Sequence, residues 1–194
     1  MADKSAHKAR TRARILDEAA GAIRTGGTQG VSVAELMKRA GLTHGGFYAH
    51  FSSRDDLVAH AVDRMFQDSA GMLDRYLGDR PDAGGIGALI DYYLSEYAYR
   101  RVEQGCPLPG LSGETGRMPP AARDRFALGV TAFRDGIARG LAAAGKADSD
   151  ALAHSVLAEL VGAMTLARSM AQEVDAIAFL DASRRALRAR LDLE

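Results

Sequence analysis

Apolar residues recur at spacings of three and four along almost the whole of this 194-residue chain, and nowhere do they alternate with polar ones over a strand's length. That regularity restricts the chain to helices packed on helices. Ile15, Ala19, Ala22 and Ile23 mark one face of a helix over residues 8–25, stopped by Gly26 and Gly27. Ser32-Val33-Ala34-Glu35 is a capping box opening a short helix whose apolar side is Val33, Leu36, Met37 and Ala40. Gly41 stands where a left-handed residue would end it, and Thr43 can cap a third short helix over 44–50. Ser53, with Asp55 and Asp56 behind it, opens a long helix reaching Gly78. A Gly/Pro linker over 78–87 precedes a helix over 86–102. The loop over 104–120 holds a short helix, and further helices are predicted over 121–144, 151–172 and 176–193. The expected fold class is all-α, with about nine helices.

The formal net charge is zero, but it is unevenly placed. Residues 1–54 carry nine Lys/Arg against four Asp/Glu, a net of +5, and the remainder carries a net of −5. A basic head on an acidic body suits a polyanion facing the head alone, and it equally suits a solvated basic tail. The single Cys106 cannot form an internal disulfide. The basic start lacks the apolar run of a signal peptide, and the longest uncharged apolar stretch, 160–167, is short of a membrane span. A cytoplasmic protein without a membrane partner is expected.

A capped short helix, a glycine turn and a second short helix over 32–51 follow the helix-turn-helix plan, in which the second helix enters a major groove. That second helix reads Thr43-His44-Gly45-Gly46-Phe47-Tyr48-Ala49-His50. Each glycine costs about 1 kcal/mol of helix stability relative to alanine, yet lets backbone approach a ligand closely. Phe47 is expected in the core, while Tyr48 and His50 offer donors for phosphate oxygens. An inert helical hairpin with a surface aromatic has the same periodicity.

The ordered string of motifs goes further. Ile15-Leu16-Asp17-Glu18-Ala19, Ser32-Val33-Ala34-Glu35-Leu36, Ala40-Gly41-Leu42-Thr43 and Phe47-Tyr48-Ala49-His50-Phe51, followed by Leu57, together resemble the TetR family of bacterial transcription regulators over residues 8–60. Gly105-Cys106-Pro107-Leu108 looks like a Gly-Cys loop found before the sixth helix in some members. The resemblance implies a DNA-binding domain over 1–53 and an effector-binding and dimerisation domain over 54–194. It implies phosphate contacts from Thr43, Tyr48, His50 and Arg54, base edges near His44, Gly45 and Gly46, and Ser32 among the DNA-binding residues. Three positions depart from the pattern. Ala22 replaces a large residue, Thr28 stands where an aromatic often packs, and Val31 lacks the hydroxyl of a frequent threonine.

The same resemblance implies a homodimer joined through the last two helices, reading a palindromic double-stranded operator. Leu152, Val156 and Leu160, with Leu180, Leu187 and Leu191, form suitable stripes, which could equally face the chain's own core. A small, partly apolar effector is expected in the body. Tyr93 and Tyr97 at i, i+4 are candidates to line its pocket, with His154, Met164 and Arg168 beside them; internally bonded core tyrosines are the alternative. Cys106, near a short helix's start, could be a lowered-pKa thiol in a redox- or electrophile-sensing repressor, or a small buried hydrophobe.

An enzyme is not expected. Gly110-Leu111-Ser112-Gly113-Glu114 lacks both the final glycine and the preceding strand of a nucleophile elbow. The five histidines show no metal-ligand spacing, so neither metal nor cofactor is expected. A DNA-binding protein without any effector remains open, and a pocket between the helix from Ser53 and the helix over 151–172 would speak against it.

Overall fold

The computed structural model describes residues 2–30, 32–79 and 81–193; Val31, and the missing hydroxyl expected there, lie outside them. Among the described residues, nine α-helices, three 3-10 segments and one π turn make up the regular structure, and there is no strand. Helix α1 (Ala2–Gly26) begins earlier than the apolar pattern does, because its first turns are solvated and carry no buried face. Helix α2 (Val33–Arg39) is capped by Ser32, whose Oγ accepts the Glu35 N–H at 3.4 Å. Its end is a Schellman turn. Gly41 takes a φ of 66°, its N–H reaches Lys38 O at 3.0 Å, and Leu42 N–H reaches Met37 O at 2.8 Å.

The third segment, His44–Ala49, is a 3-10 helix rather than an α-helix. Six residues with two adjacent glycines form a poor α-helix, and the Thr43 side chain makes no capping bond. Helix α3 (Arg54–Leu73) is capped by the Ser53 side chain, which accepts the Asp56 N–H at 3.0 Å. The Asp56 carboxylate in turn accepts the Ser52 N–H at 2.9 Å, which holds it below the usual carboxylate range.

In the body follow α4 (Ala83–Tyr93), α5 (Glu96–Arg100), α6 (Leu108–Leu111), α7 (Pro120–Ala143), α8 (Ser149–Ser169) and α9 (Glu173–Arg190). Helix α4 starts inside the expected linker because Asp82 Oδ1 accepts the Gly85 N–H at 2.8 Å, a cap that outweighs the local glycines. The helix expected over 86–102 breaks at Ser95, whose hydroxyl donates to Tyr92 O at 2.7 Å and accepts the Ala98 N–H at 3.1 Å. Tyr93 and Tyr97, expected on one face, therefore belong to different helices. Helix α3 lies along α7, where Gly129 leaves the room that Phe66 fills; Phe66 meets Phe126 edge-on at 5.3 Å.

Helix α8 packs between α7 and α9, and one apolar core runs from Ile15 to Leu193. The stripes expected at a dimer face lie in this core. Val156, Leu160, Leu180, Leu187 and Leu191 are 2% exposed or less, and Leu152 is half-buried against the same core. Periodicity fixes which residues share a face but not whether that face meets the same chain or another. Helix α8 has the length and the mean hydropathy, 1.2, of a membrane span, with 39% of that stretch buried here; Glu159 on it pairs with Arg190 of α9 at 2.6 Å.

Candidate nucleic-acid interface

Thr43, His44, Gly45 and Tyr48 face solvent along the 3-10 helix, Tyr48 with 68% of its surface exposed. Phe47 beneath them is buried, edge-on to Tyr48 at 5.2 Å and stacked near Phe51 at 5.7 Å. A methyl group on Gly45 would find no neighbour within 4 Å; on Gly46 it would make ordinary contacts with Thr43 Oγ1 at 3.6 Å and Met37 Cε at 3.8 Å. Neither glycine has a positive φ. Nothing in the chain's own packing or backbone requires a glycine at 45.

His50 is half-buried beside α1, its Nδ1 unpartnered, and burial, then Lys8 and Arg12, lower its pKa. Arg12 lies over the Phe51 ring at 4.8 Å, so the basic side of α1 adjoins the 3-10 helix. Ser32 is exposed, with its oxygen occupied in the α2 cap. Arg54 is half-buried and donates from Nη2 to the Thr28 carbonyl, so any phosphate contact would compete with a bond inside the chain.

Two anchorages that the sequence does not disclose hold this head to the body. Thr28, fully buried where an aromatic was missing, donates its N–H and its hydroxyl to Glu114 Oε2 at 2.9 and 3.0 Å. Glu114 belongs to the 3-10 segment Ser112–Arg117, and Gly27, at a φ of 73°, makes way for its carboxylate. Arg24, near the end of α1, is 6% exposed and donates to Met65 O at 3.3 Å, Asp68 at 2.9 Å and Glu103 O at 3.0 Å.

A cavity of about 610 Å³ lies between α1, α3, α4, the loop over 103–109 and the last turns of α8. Tyr93, Cys106, Met164 and Arg168 line it, and Ala22 does too, its small side chain widening the α1 side. Tyr93 is 3% exposed and its Oη has no hydrogen-bond partner; burial, with Cys106 beside it, pushes its pKa well up. Arg168 donates from Nη2 to Ala98 O at 3.0 Å, its Nε is unpartnered, and burial lowers its pKa. Among the described residues, no group of three or more His, Cys, Asp or Glu side chains could hold a metal ion.

The sequence profile of bacterial regulatory proteins of the TetR family matches residues 15–61, the head and the start of α3. An uncharacterised HTH-type transcriptional regulator of Mycobacterium tuberculosis is 30% identical over 106 residues, 54% of this chain; the matched stretch spans about half, 53%, of that relative's length. The fold superimposes on a TetR transcriptional regulator from Chloroflexus aurantiacus with a TM-score of 0.82 at 24% identity, over 97% of both chains. A TetR-family regulator from Agrobacterium tumefaciens gives 0.81 at 20% identity, over 94% of this chain and 98% of its own. The head matches the TetR-family profile, and the whole chain has the fold of TetR-family regulators. Its fold is TetR-like throughout, with the helix-turn-helix at the N-terminus and a helical body behind it.

The helical body sorts the expected effector residues. Tyr93, Cys106, Met164 and Arg168 meet in one cavity, between the helix that follows Ser53 and α8. Tyr97 does not, because the break at Ser95 turns it outward, 57% exposed beneath Arg101 at 4.9 Å. His154 is also absent from the lining and is exposed on α8. The redox alternative loses its premise. Burial raises the Cys106 pKa, against the lowering that a reactive thiolate requires, so the residue belongs with the small packed hydrophobes.

Proposed function

We propose that this chain is a ligand-responsive transcriptional repressor. It binds a palindromic operator as a homodimer through residues 1–53, and a small, partly apolar effector, held in the cavity by residues of 54–194 together with α1, releases it. The observation that carries the reading is the solvent-facing row Thr43, His44, Gly45 and Tyr48, with open space where a Gly45 side chain would be. A bare backbone edge flanked by hydroxyl and imidazole donors suits a duplex groove. Thr43, Tyr48 and His50 take phosphate oxygens, with Ser32 and Arg54 at the rim, and His44, Gly45 and Gly46 lie nearest the bases.

One head offers few contacts, and two heads one helical turn apart read a palindrome. Support for pairing comes from the outer faces of α8 and α9. Leu166 and Val174 are 54% and 74% exposed, beside exposed Ala151, Ala158, Thr165 and Ala178. Linkage then requires the effector to favour the head spacing that does not fit DNA.

Gel-shift titrations on the DNA upstream of the protein's own coding sequence test this. Tyr48→Phe is expected to weaken specific and nonspecific DNA alike, as loss of a phosphate donor must. His44→Ala is expected to change which operator variants bind. Loss confined to one sequence for Tyr48→Phe would refute its phosphate role.

A further inference from the structure

We infer that the inner end of the cavity is an anion seat, in which Arg168 and Tyr93 anchor a carboxylate carried on an apolar body. The inference rests on the reading that the cavity receives the effector, and it names that effector's chemical class.

Five arginines line the cavity, and their surroundings differ. Arg24 faces Asp68 at 2.9 Å, Arg39 faces Glu18 at 3.5 Å and Arg64 faces Asp17 at 2.7 Å. Arg75 is exposed at the rim. Arg168 is half-buried, and no carboxylate pairs with it among the described residues; one backbone carbonyl, Ala98 O, is its sole hydrogen-bond acceptor there. Withdrawing a guanidinium from water without a counter-charge is unfavourable, and its unpartnered Nε adds a second unmet donor.

Tyr93, on the facing helix, adds a third. The residue lines the same cavity, and its buried hydroxyl has the Cys106 thiol beside it and no oxygen acceptor. Both residues line one cavity, and neither has a carboxylate as its partner among the described residues. A carboxylate answers them, since its two oxygens accept the paired N–H groups of a guanidinium and can also accept a phenol O–H. Burial keeps the Cys106 thiol neutral, so it does not supply the counter-charge that Arg168 lacks. Met72, Tyr76, Tyr92 and Met164 give the cavity an apolar side, next to a polar side where Asp17, Glu18 and Asp68 pair with arginines, and the apolar side suits an aliphatic or aromatic tail. A cavity of about 610 Å³ holds such an amphiphile.

The test measures binding of two acid–alcohol pairs, decanoate with 1-decanol and 4-phenylbutyrate with 4-phenylbutanol. Each displaces 1-anilinonaphthalene-8-sulfonate from the full chain. Each acid is expected to bind about tenfold or more tightly than its alcohol, the range of a charge-assisted hydrogen bond. Arg168→Met should erase that preference by weakening the acid far more than the alcohol, Arg168→Lys should keep part of it, and Tyr93→Phe should reduce it a few-fold. A wild-type circular dichroism spectrum and thermal transition, with saturable alcohol binding, show that the variants fold. Equal affinity for acid and alcohol in the wild type, or a preference surviving Arg168→Met, overturns the anion seat and leaves the effector reading standing. No saturable binding by any probe overturns the seat as well. Acids that bind through Arg168 without releasing operator DNA support the seat and refute the effector reading.

Discussion

At Gly45 the chain forgoes a side chain that its own packing would admit. Gly45→Ala should therefore leave the fold intact and stabilise it by up to about 1 kcal/mol in urea titrations, while operator affinity falls in gel shifts. A variant that binds DNA as the wild type does would place the base-reading edge elsewhere. His60 supplies a second residue-scale expectation. It sits 3.5 Å from Asp56, yet burial, then Arg12 and Arg125, hold its pKa below 6.5. The unfolded chain therefore binds protons more readily as pH falls through 6.5, and stability declines with it; His50 shifts the same way. His60→Gln should flatten the drop in Tm between about pH 7 and pH 5.5. Local chemistry made several residues legible from sequence alone. Ser32, Gly41 and Ser53 act where short-range capping rules put them, and Phe47 is buried as its apolar setting requires. Thr28 was opaque, since its partner lies 86 positions away.

Among the elements, the 3-10 segment Ser112–Arg117 acts as a strap from the body to the turn after α1. Glu114→Ala leaves the Thr28 N–H and hydroxyl buried without an acceptor and should cost about 1–3 kcal/mol in urea titrations. Glu114→Gln, which keeps a carbonyl oxygen, should cost less. Element existence was readable from periodicity, but the breaks and the facing directions were not. One hydroxyl, that of Ser95, separates α4 from α5 and sends Tyr93 inward and Tyr97 outward. The leucine stripes of α8 and α9 turn toward the chain's own core, which no single-helix pattern can specify. Of the cavity, Tyr93, Cys106, Met164 and Arg168 were candidates from the sequence, but the wall that α1 supplies was not, because it comes from a segment distant in sequence.

For the molecule as a whole, the outer faces of α8 and α9 carry the pairing proposal. Leu166→Glu changes a residue that is 54% exposed, so the subunit should still fold. Light scattering after gel filtration should find monomers, and operator affinity should drop steeply because half-sites are then bound singly. A dimer that survives the charge would move the interface off α8. Helix α1 is 25 residues long, and Arg24, near one end, is gripped by Met65, Asp68 and Glu103 at the cavity's edge. At 1.5 Å per residue, Lys4 lies about 30 Å down the axis from that grip. A pivot of about 5° there sweeps the far end through about 3 Å, so the helix works as a pointer needle that magnifies a slight disturbance at its hub.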